Sequence, residues 1–320
     1  MTNKTLEKTL LGVKKNVLLK NFTTYKIGGP AKYFFVAKSR ENLVEAVKTA
    51  KDFNLPIFIL GGGSNLLISD KGFKGLVIKI DISIIDFKGS EVFAGAGADL
   101  TRLALLSAER GLSGLEWAPG IPRATVGGAI YGNAQAFGTK ISDIIKTVEV
   151  FDVKTFKTKS LTKSQCQFSL KNSIFKKNKN LIIVSAILEF DKKDRSEIKK
   201  KIKENINYRK TQHPVKFFSA GSTFVNPEIK IKDKQLLVKF PELIEYNKKG
   251  VIPAGYLITK CGLAGKKIGG AQISEKHANF ILNIGGSKAK DVLALINTAQ
   301  KKVKNVFGVD LVQEVQMVGL

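Results

Sequence analysis

The sequence predicts a mixed helix-and-strand protein of more than one domain, on three observations. Residues 21–80 alternate strand-like and helical patterns, the pattern mixes from Val92 onward, and a charged stretch, Asp191 to Lys200, precedes a loop-rich C-terminal third. At 320 residues and 43% apolar content the chain has material for two or three domains.

In chain order, Tyr33–Val36 reads as a strand and Asn42–Phe53 as a helix with Leu43, Val47 and Ala50 on one face. Pro56–Leu60 and Leu76–Ile80 read as strands, with a glycine-rich loop after the first. Val92–Ala94 is strand-like. Asp99–Arg110 reads as a helix with Asp99 as its N-cap and Gly111 at its C-terminal turn. Strands follow at Val148–Phe151 and Leu181–Phe190, and the charged stretch starts a helix whose Ile198, Ile202 and Ile206 form one stripe. The end is predicted as a helix, Ser287–Phe307, with Ser287 as N-cap and Gly308 as stop, and a strand, Leu311–Val318.

The formal charge of +26 comes almost wholly from lysine; arginine occurs only at positions 40, 102, 110, 123, 195 and 209. Lysines neutralise phosphates, so a nucleic-acid surface is one reading. They are scattered without an aromatic RNA-binding signature, which favours a solvated coat that steers anionic ligands. Cys166 and Cys261 are the only cysteines, with no CxxC and no nearby histidine cluster, so neither a disulfide framework nor a metal site is expected. The first twenty residues lack the apolar core of a signal peptide, and no apolar run approaches the ~20 residues needed to span a bilayer. A cytosolic protein is expected.

Chemistry concentrates in glycine-rich segments. In Gly61-Gly62-Gly63-Ser64-Asn65-Leu66, three glycines free the backbone for positive φ and let successive amides point into one anion-binding concavity. The loop runs from strand to strand, so it is not a Rossmann fingerprint, and no P-loop motif occurs. A second segment runs from Pro119 to Gly138. Two such loops suit a long ligand gripped along its backbone, such as a dinucleotide with a central diphosphate; a pair of crowded turns is the bland alternative. Gly221-Ser222-Thr223-Phe224-Val225-Asn226-Pro227 holds a serine that could donate a proton, but no nucleophile elbow surrounds it. By spacing alone Ser222 is a turn residue, Glu314 a solvent-facing strand position and His277 a polar surface or packing residue.

Six motifs stand in one order: Thr24–Ala31, the Gly61 loop, Gly120–Gly138, Ala220–Pro227, Ile268–Gln272 with Ser274–Asn283, and Phe307–Gly319. In that order and register the chain resembles the UDP-N-acetylenolpyruvoylglucosamine reductase family from about residue 20 to its end. The resemblance implies an α+β protein. An FAD-binding module of the vanillyl-alcohol-oxidase type would form two α/β subdomains, residues 1–80 and 81–195, ahead of an α+β substrate domain, residues 196–320. It implies non-covalent FAD, NADPH as electron donor, and reduction of the enolpyruvyl ether of UDP-N-acetylglucosamine to UDP-N-acetylmuramate for peptidoglycan. A UDP-linked amino sugar would be the partner, without nucleic acid or membrane insertion, and the protein would be a monomer.

Carried over by residue, the resemblance assigns the FAD diphosphate to Gly61, Gly62, Gly63, Ser64, Asn65 and Leu66. Gly120, Thr125, Gly127, Gly128, Asn133 and Gly138 would line the flavin and its ribityl chain. Ser222 matches the proton donor, Glu314 the catalytic acid, and Asn226 and His277 substrate-binding positions. Several positions depart from the family pattern. Leu170-Lys171 stands where the family has Tyr-Arg, which makes Lys171 the candidate for the missing cation. Arg123-Ala124 replaces one glycine of the flavin loop, and Gln313 replaces the proline before the glutamate. The segment after Ser173 is short, as in the subtype without a substrate-capping tyrosine loop. The other readings are a flavin oxidoreductase with a different substrate, a flavin-binding homologue with impaired catalysis, and a nucleic-acid binder.

Overall fold

A computed structural model describes residues 5–320, which fold into two units. The first takes the chain up to Leu18, Pro30–Gly63 and Phe73–Arg209; the second takes Leu19–Gly29, Ser64–Gly72 and Lys210–Leu320.

The first unit contains two main sheets. One has four strands in the order Lys14–Leu18, Pro30–Ala37, Phe73–Ile80 and Ile57–Leu60. Its first pairing is antiparallel and the other two are parallel. The crossover helix between the parallel strands is Arg40–Asp52; Ser39 caps it by accepting from the Asn42 N–H at 3.2 Å, and Leu43, Ala46, Val47 and Ala50 are buried. The other sheet is antiparallel, in the order Lys157–Thr162, Ile145–Asp152, Leu181–Glu189, Glu91–Gly95 and Ile85–Lys88. Leu181–Ala186 reads as one apolar run because it is the central strand, buried on both faces. The helix Leu100–Glu109 begins where expected: the Asp99 carboxylate accepts from the Arg102 N–H at 2.7 Å, and Gly111 turns the chain at φ +70°. The helix Arg195–Gln212 lays Ile198 and Ile202 against Ala108, with Ile206 beside them.

The segment read as a glycine-rich loop contains a helix. Val126–Gly132 is helical, with Thr125 as N-cap accepting from the Gly128 N–H at 3.3 Å and Asn133 closing it at φ 43°. Its glycine content hid a capping threonine followed by Val-x-x-Ala-Ile on one face.

The second unit is built on the helix Ala289–Phe307, whose Val292, Leu295, Ile296, Ala299, Val303 and Phe307 are buried. Two expectations change here. Ser287 is not its N-cap: Lys288 holds that position, and Asp70 reaches from a remote loop to accept from the Ala289 N–H at 2.9 Å. A carboxylate from elsewhere in the chain does the capping that local sequence assigned to the serine. The last strand is also shorter than Leu311–Val318. Only Gln316–Val318 is a strand, paired in parallel with Leu66–Ile68. The residues before it follow the Ser222 segment instead, through a bridge from Phe224 to Gln313. Among the described residues no helix is long and apolar enough to cross a membrane.

Candidate active site

In the first unit the two glycine-rich segments meet. A Cβ on Gly62 would lie 1.5 Å from the Arg123 carbonyl oxygen, and one on Gly61 2.8 Å from Thr125 Oγ1. Backbone packs on backbone here, which only glycine permits. Arg123 sits in the left-handed region at φ 58° and its Nε donates to the Gly62 carbonyl at 3.2 Å. Gly127 is buried and its N–H donates to Ala96 O at 2.8 Å, so its role is close packing of helix on sheet. Gly120, at φ +91°, leaves room for the Arg209 stem, 3.0 Å from where its Cβ would be. Positions 132 and 138 face open space, with no atom within 4 Å of an added Cβ.

Asn133 is buried and only half satisfied. Its Nδ2 donates to Ser169 O at 2.8 Å, while its Oδ1 has no hydrogen-bond partner among the described residues. Buried polar atoms are rarely left so, which marks Oδ1 as an acceptor awaiting a donor. The same bond ties Asn133 to the tight turn that holds Lys171, where Ser169 and Asn172 exchange backbone hydrogen bonds and Lys171 adopts φ 51°. Ser173 Oγ anchors this turn to Tyr131 O at 2.7 Å. Lys171 Nζ lies 3.5 Å from Gln135 O. The sequence reading gave Asn133 and Lys171 separate roles; this turn joins them. Arg209 was not singled out: it donates from Nη2 to Trp117 O at 2.9 Å, its guanidinium lies over the Phe137 ring, and burial lowers its pKa. The second of two arginines in a lysine-rich helix was the available signal.

In the second unit Ser222 and Glu314 lie on hydrogen-bonded segments. The Glu314 N–H donates to the carbonyl of Thr223, the residue after the serine, at 2.9 Å, and the Val225 N–H donates to Val312 O at 2.9 Å. Both Ser222 and Glu314 are half-buried. Two asparagines fix this pair. Asn279, fully buried, clamps Phe224 by accepting from its N–H at 3.0 Å and donating to its carbonyl at 2.8 Å. Asn65 donates to Glu314 O at 3.0 Å, and its own carbonyl accepts from Gln316 N–H at 3.0 Å. The side chain of Asn65 therefore positions the glutamate's backbone, and buried Leu66 begins the strand that pairs with Gln316. Asn226 Oδ1 accepts from the Ala254 N–H at 3.0 Å, capping the helix Ala254–Lys260. His277 packs edge-on against His213 and Phe280, with ring centroids 5.5 and 4.9 Å away. Burial holds its pKa below the usual imidazole value, and its buried Nδ1 has no partner among the described residues.

One unit holds a glycine cradle with an orphaned acceptor and the other holds the hydrogen-bonded Ser222 and Glu314 segments, and the similarities that follow make the chain a flavin-dependent oxidoreductase. Residues 31–155 match the family model described as an FAD binding domain, and residues 213–318 the model for the UDP-N-acetylenolpyruvoylglucosamine reductase C-terminal domain. A UDP-N-acetylenolpyruvoylglucosamine reductase of Anoxybacillus flavithermus is 39% identical over 310 residues, covering 96% of this chain and 94% of the relative. That of Bacillus subtilis is 36% identical, with the same coverage. The crystal structure of the Thermus caldophilus enzyme matches with a TM-score of 0.76 at 32% identity, over 96% of this chain and 98% of that one. The chain belongs to the UDP-N-acetylenolpyruvoylglucosamine reductase family. Its fold is α+β, with an FAD-binding module of the vanillyl-alcohol-oxidase type.

Proposed function

We propose that this protein is an FAD-dependent, NADPH-oxidising enzyme that reduces the enolpyruvyl group of UDP-N-acetylglucosamine-enolpyruvate to UDP-N-acetylmuramate, a step of peptidoglycan synthesis, and that it works as a cytosolic monomer. The observation that carries this reading is the pairing of the Ser222 and Glu314 segments within a chain that matches the family over nearly its whole length.

The residues of the first unit fit a flavin dinucleotide. Gly61 and Gly62 present backbone without side chains to a diphosphate, and Asn133 Oδ1 offers the acceptor that a flavin imide N–H requires. Residues 1–80 and 81–195 would form the two FAD-binding subdomains and 196–320 the substrate domain. This division along the sequence differs from the compact units, which take Leu19–Gly29 and Ser64–Gly72 into the second and run the first to Arg209. When bound, FAD supplies the redox chemistry, accepting hydride from NADPH and delivering it to the enolpyruvyl group. Ser222 Oγ would donate the proton that the adjacent carbon then needs. Glu314 would stabilise the developing charge as an acid, and the Lys171 ammonium would supply the cation that a substrate carboxylate calls for. Asn226 and His277 serve the substrate. The asparagine keeps its Nδ2 for this while its Oδ1 holds the helix at Ala254. Neutral at physiological pH, His277 would act by hydrogen bonding rather than charge.

The purified protein should carry one non-covalent FAD, released intact by acid precipitation of the chain; a colourless protein that takes up no FAD on titration would remove the basis of the proposal. Lys171 provides a sharper check. Lys171→Met should lower kcat about tenfold, the loss of ~1.4 kcal/mol expected for one charge-assisted hydrogen bond, with FAD content unchanged. Lys171→Arg should hold the rate within about threefold, because the guanidinium can bind a carboxylate through two parallel hydrogen bonds. Wild-type turnover in the methionine variant would assign Lys171 to its turn, where its Nζ already reaches Gln135 O.

A further inference from the structure

We infer that Arg123 and Lys79 form a two-cation clamp on the FAD diphosphate, adding charge to a site otherwise made of backbone amides. The inference rests on the flavoenzyme reading above.

Three features place these cations. Lys79 is the register partner of Leu60, the residue that leads directly into the Gly61-Gly62-Gly63 loop, so it stands at the strand end where that loop begins. Arg123 is bound to the same loop, its Nε donating to Gly62 O at 3.2 Å. Third, the two charges feel one another. Burial lowers the Lys79 pKa; Asp81 opposes that effect, and the Arg123 charge adds to it. The half-buried Lys79 ammonium lies 3.4 Å from the Ile80 carbonyl, and a like-charged guanidinium in its neighbourhood disfavours its charge. A dianionic diphosphate on the loop would turn that repulsion into attraction, and the low local dielectric would strengthen the gain.

The backbone at Arg123 supports the same assignment. An arginine at φ 58° occupies a region that costs a non-glycine residue of order 1 kcal/mol. Glycine would hold the turn without that cost. The strained conformation sets the arginine's carbonyl over Gly62 while its side chain returns to the Gly62 oxygen, so the exposed arginine is tied to the loop through its Nε.

The test is FAD affinity of the flavin-free protein, measured by quenching of flavin fluorescence, for wild type, Arg123→Gln, Arg123→Gly and Lys79→Met. Riboflavin, which has no phosphate, is titrated in parallel, and thermal unfolding of each flavin-free variant reports folding. The FAD Kd should rise about tenfold in each variant, the amount set by one charge-assisted contact, with the riboflavin Kd unchanged. The salt dependence of FAD affinity should flatten as each cation is removed. Arg123→Gly relieves the backbone strain, so weakened FAD binding there isolates the guanidinium. Should Lys79→Met fail to fold, the exposed Arg123 variants carry the test alone. Equal FAD affinity in wild type and the Arg123 variants would overturn the clamp, as would parallel losses of FAD and riboflavin. A raised KM for the UDP-sugar with unchanged FAD affinity would overturn it too, moving the cations to the substrate's diphosphate. Failure of the wild type to bind FAD would remove both the clamp and the flavoenzyme reading.

Discussion

Ser222→Ala should slow reoxidation of the reduced flavin by the enolpyruvyl substrate about 10²–10⁴-fold, the usual loss when a general acid is removed. Reduction of the flavin by NADPH should proceed at the wild-type rate, because a proton donor in the proposed role is needed only once a proton must reach the substrate carbon. The substitution removes one hydroxyl from a half-buried position and leaves untouched the backbone bonds that join Thr223 to Glu314 and to Asn279. Misfolding is therefore not expected to mimic the effect. Rapid-mixing measurements of the two half-reactions provide the check: a wild-type oxidative half-reaction would dismiss Ser222 as proton donor.

Gly62→Ala should have the largest effect on the cofactor site. The new methyl would sit 1.5 Å from the Arg123 carbonyl oxygen and 2.6 Å from its carbon, both backbone atoms that cannot rotate away. The two loops must separate, at a cost of about 1–3 kcal/mol of flavin-free stability, the range for overpacking a close contact. FAD should be lost on purification. Gly132→Ala is the contrasting control. It lies in the helix Val126–Gly132, no atom lies within 4 Å of the added carbon, and a gain of about 0.5–1 kcal/mol is expected from the helical backbone preference. Thermal unfolding of both flavin-free proteins decides the matter; equal stability and flavin content in Gly62→Ala and wild type would show that the loops need not touch.

How much of this was legible in the sequence depended on the range of the interaction. Local signals worked: Asp99 caps its helix, Gly111 and Gly308 end theirs with positive φ, and the isoleucine stripe of Arg195–Gln212 meets Ala108. Capping and periodicity act within a few residues, so the chain states them directly. Long-range contacts were not stated. Nothing near Ser287 tells that Asp70 will cap the helix in its place, and nothing near Leu311 tells that it will follow the Ser222 segment while only Gln316–Val318 finds a parallel strand partner. The candidate site divides in the same way. Its residues were identified by motif, but the links that give them geometry run between distant segments: Asn65 to Glu314, Asn279 to Phe224 and Asn133 to Ser169. In all three the short asparagine amide donates to a distant backbone carbonyl, and in Asn279 it also accepts.

Anaerobic addition of stoichiometric NADPH, followed by UDP-N-acetylglucosamine-enolpyruvate, tests the proposed function most directly. NADPH should bleach the visible band of the bound flavin, and the enolpyruvyl compound should restore it, with one UDP-N-acetylmuramate formed per NADPH consumed. A flavin that NADPH bleaches, but that the enolpyruvyl compound leaves reduced, would contradict the assignment of Ser222 and Glu314 to this reaction.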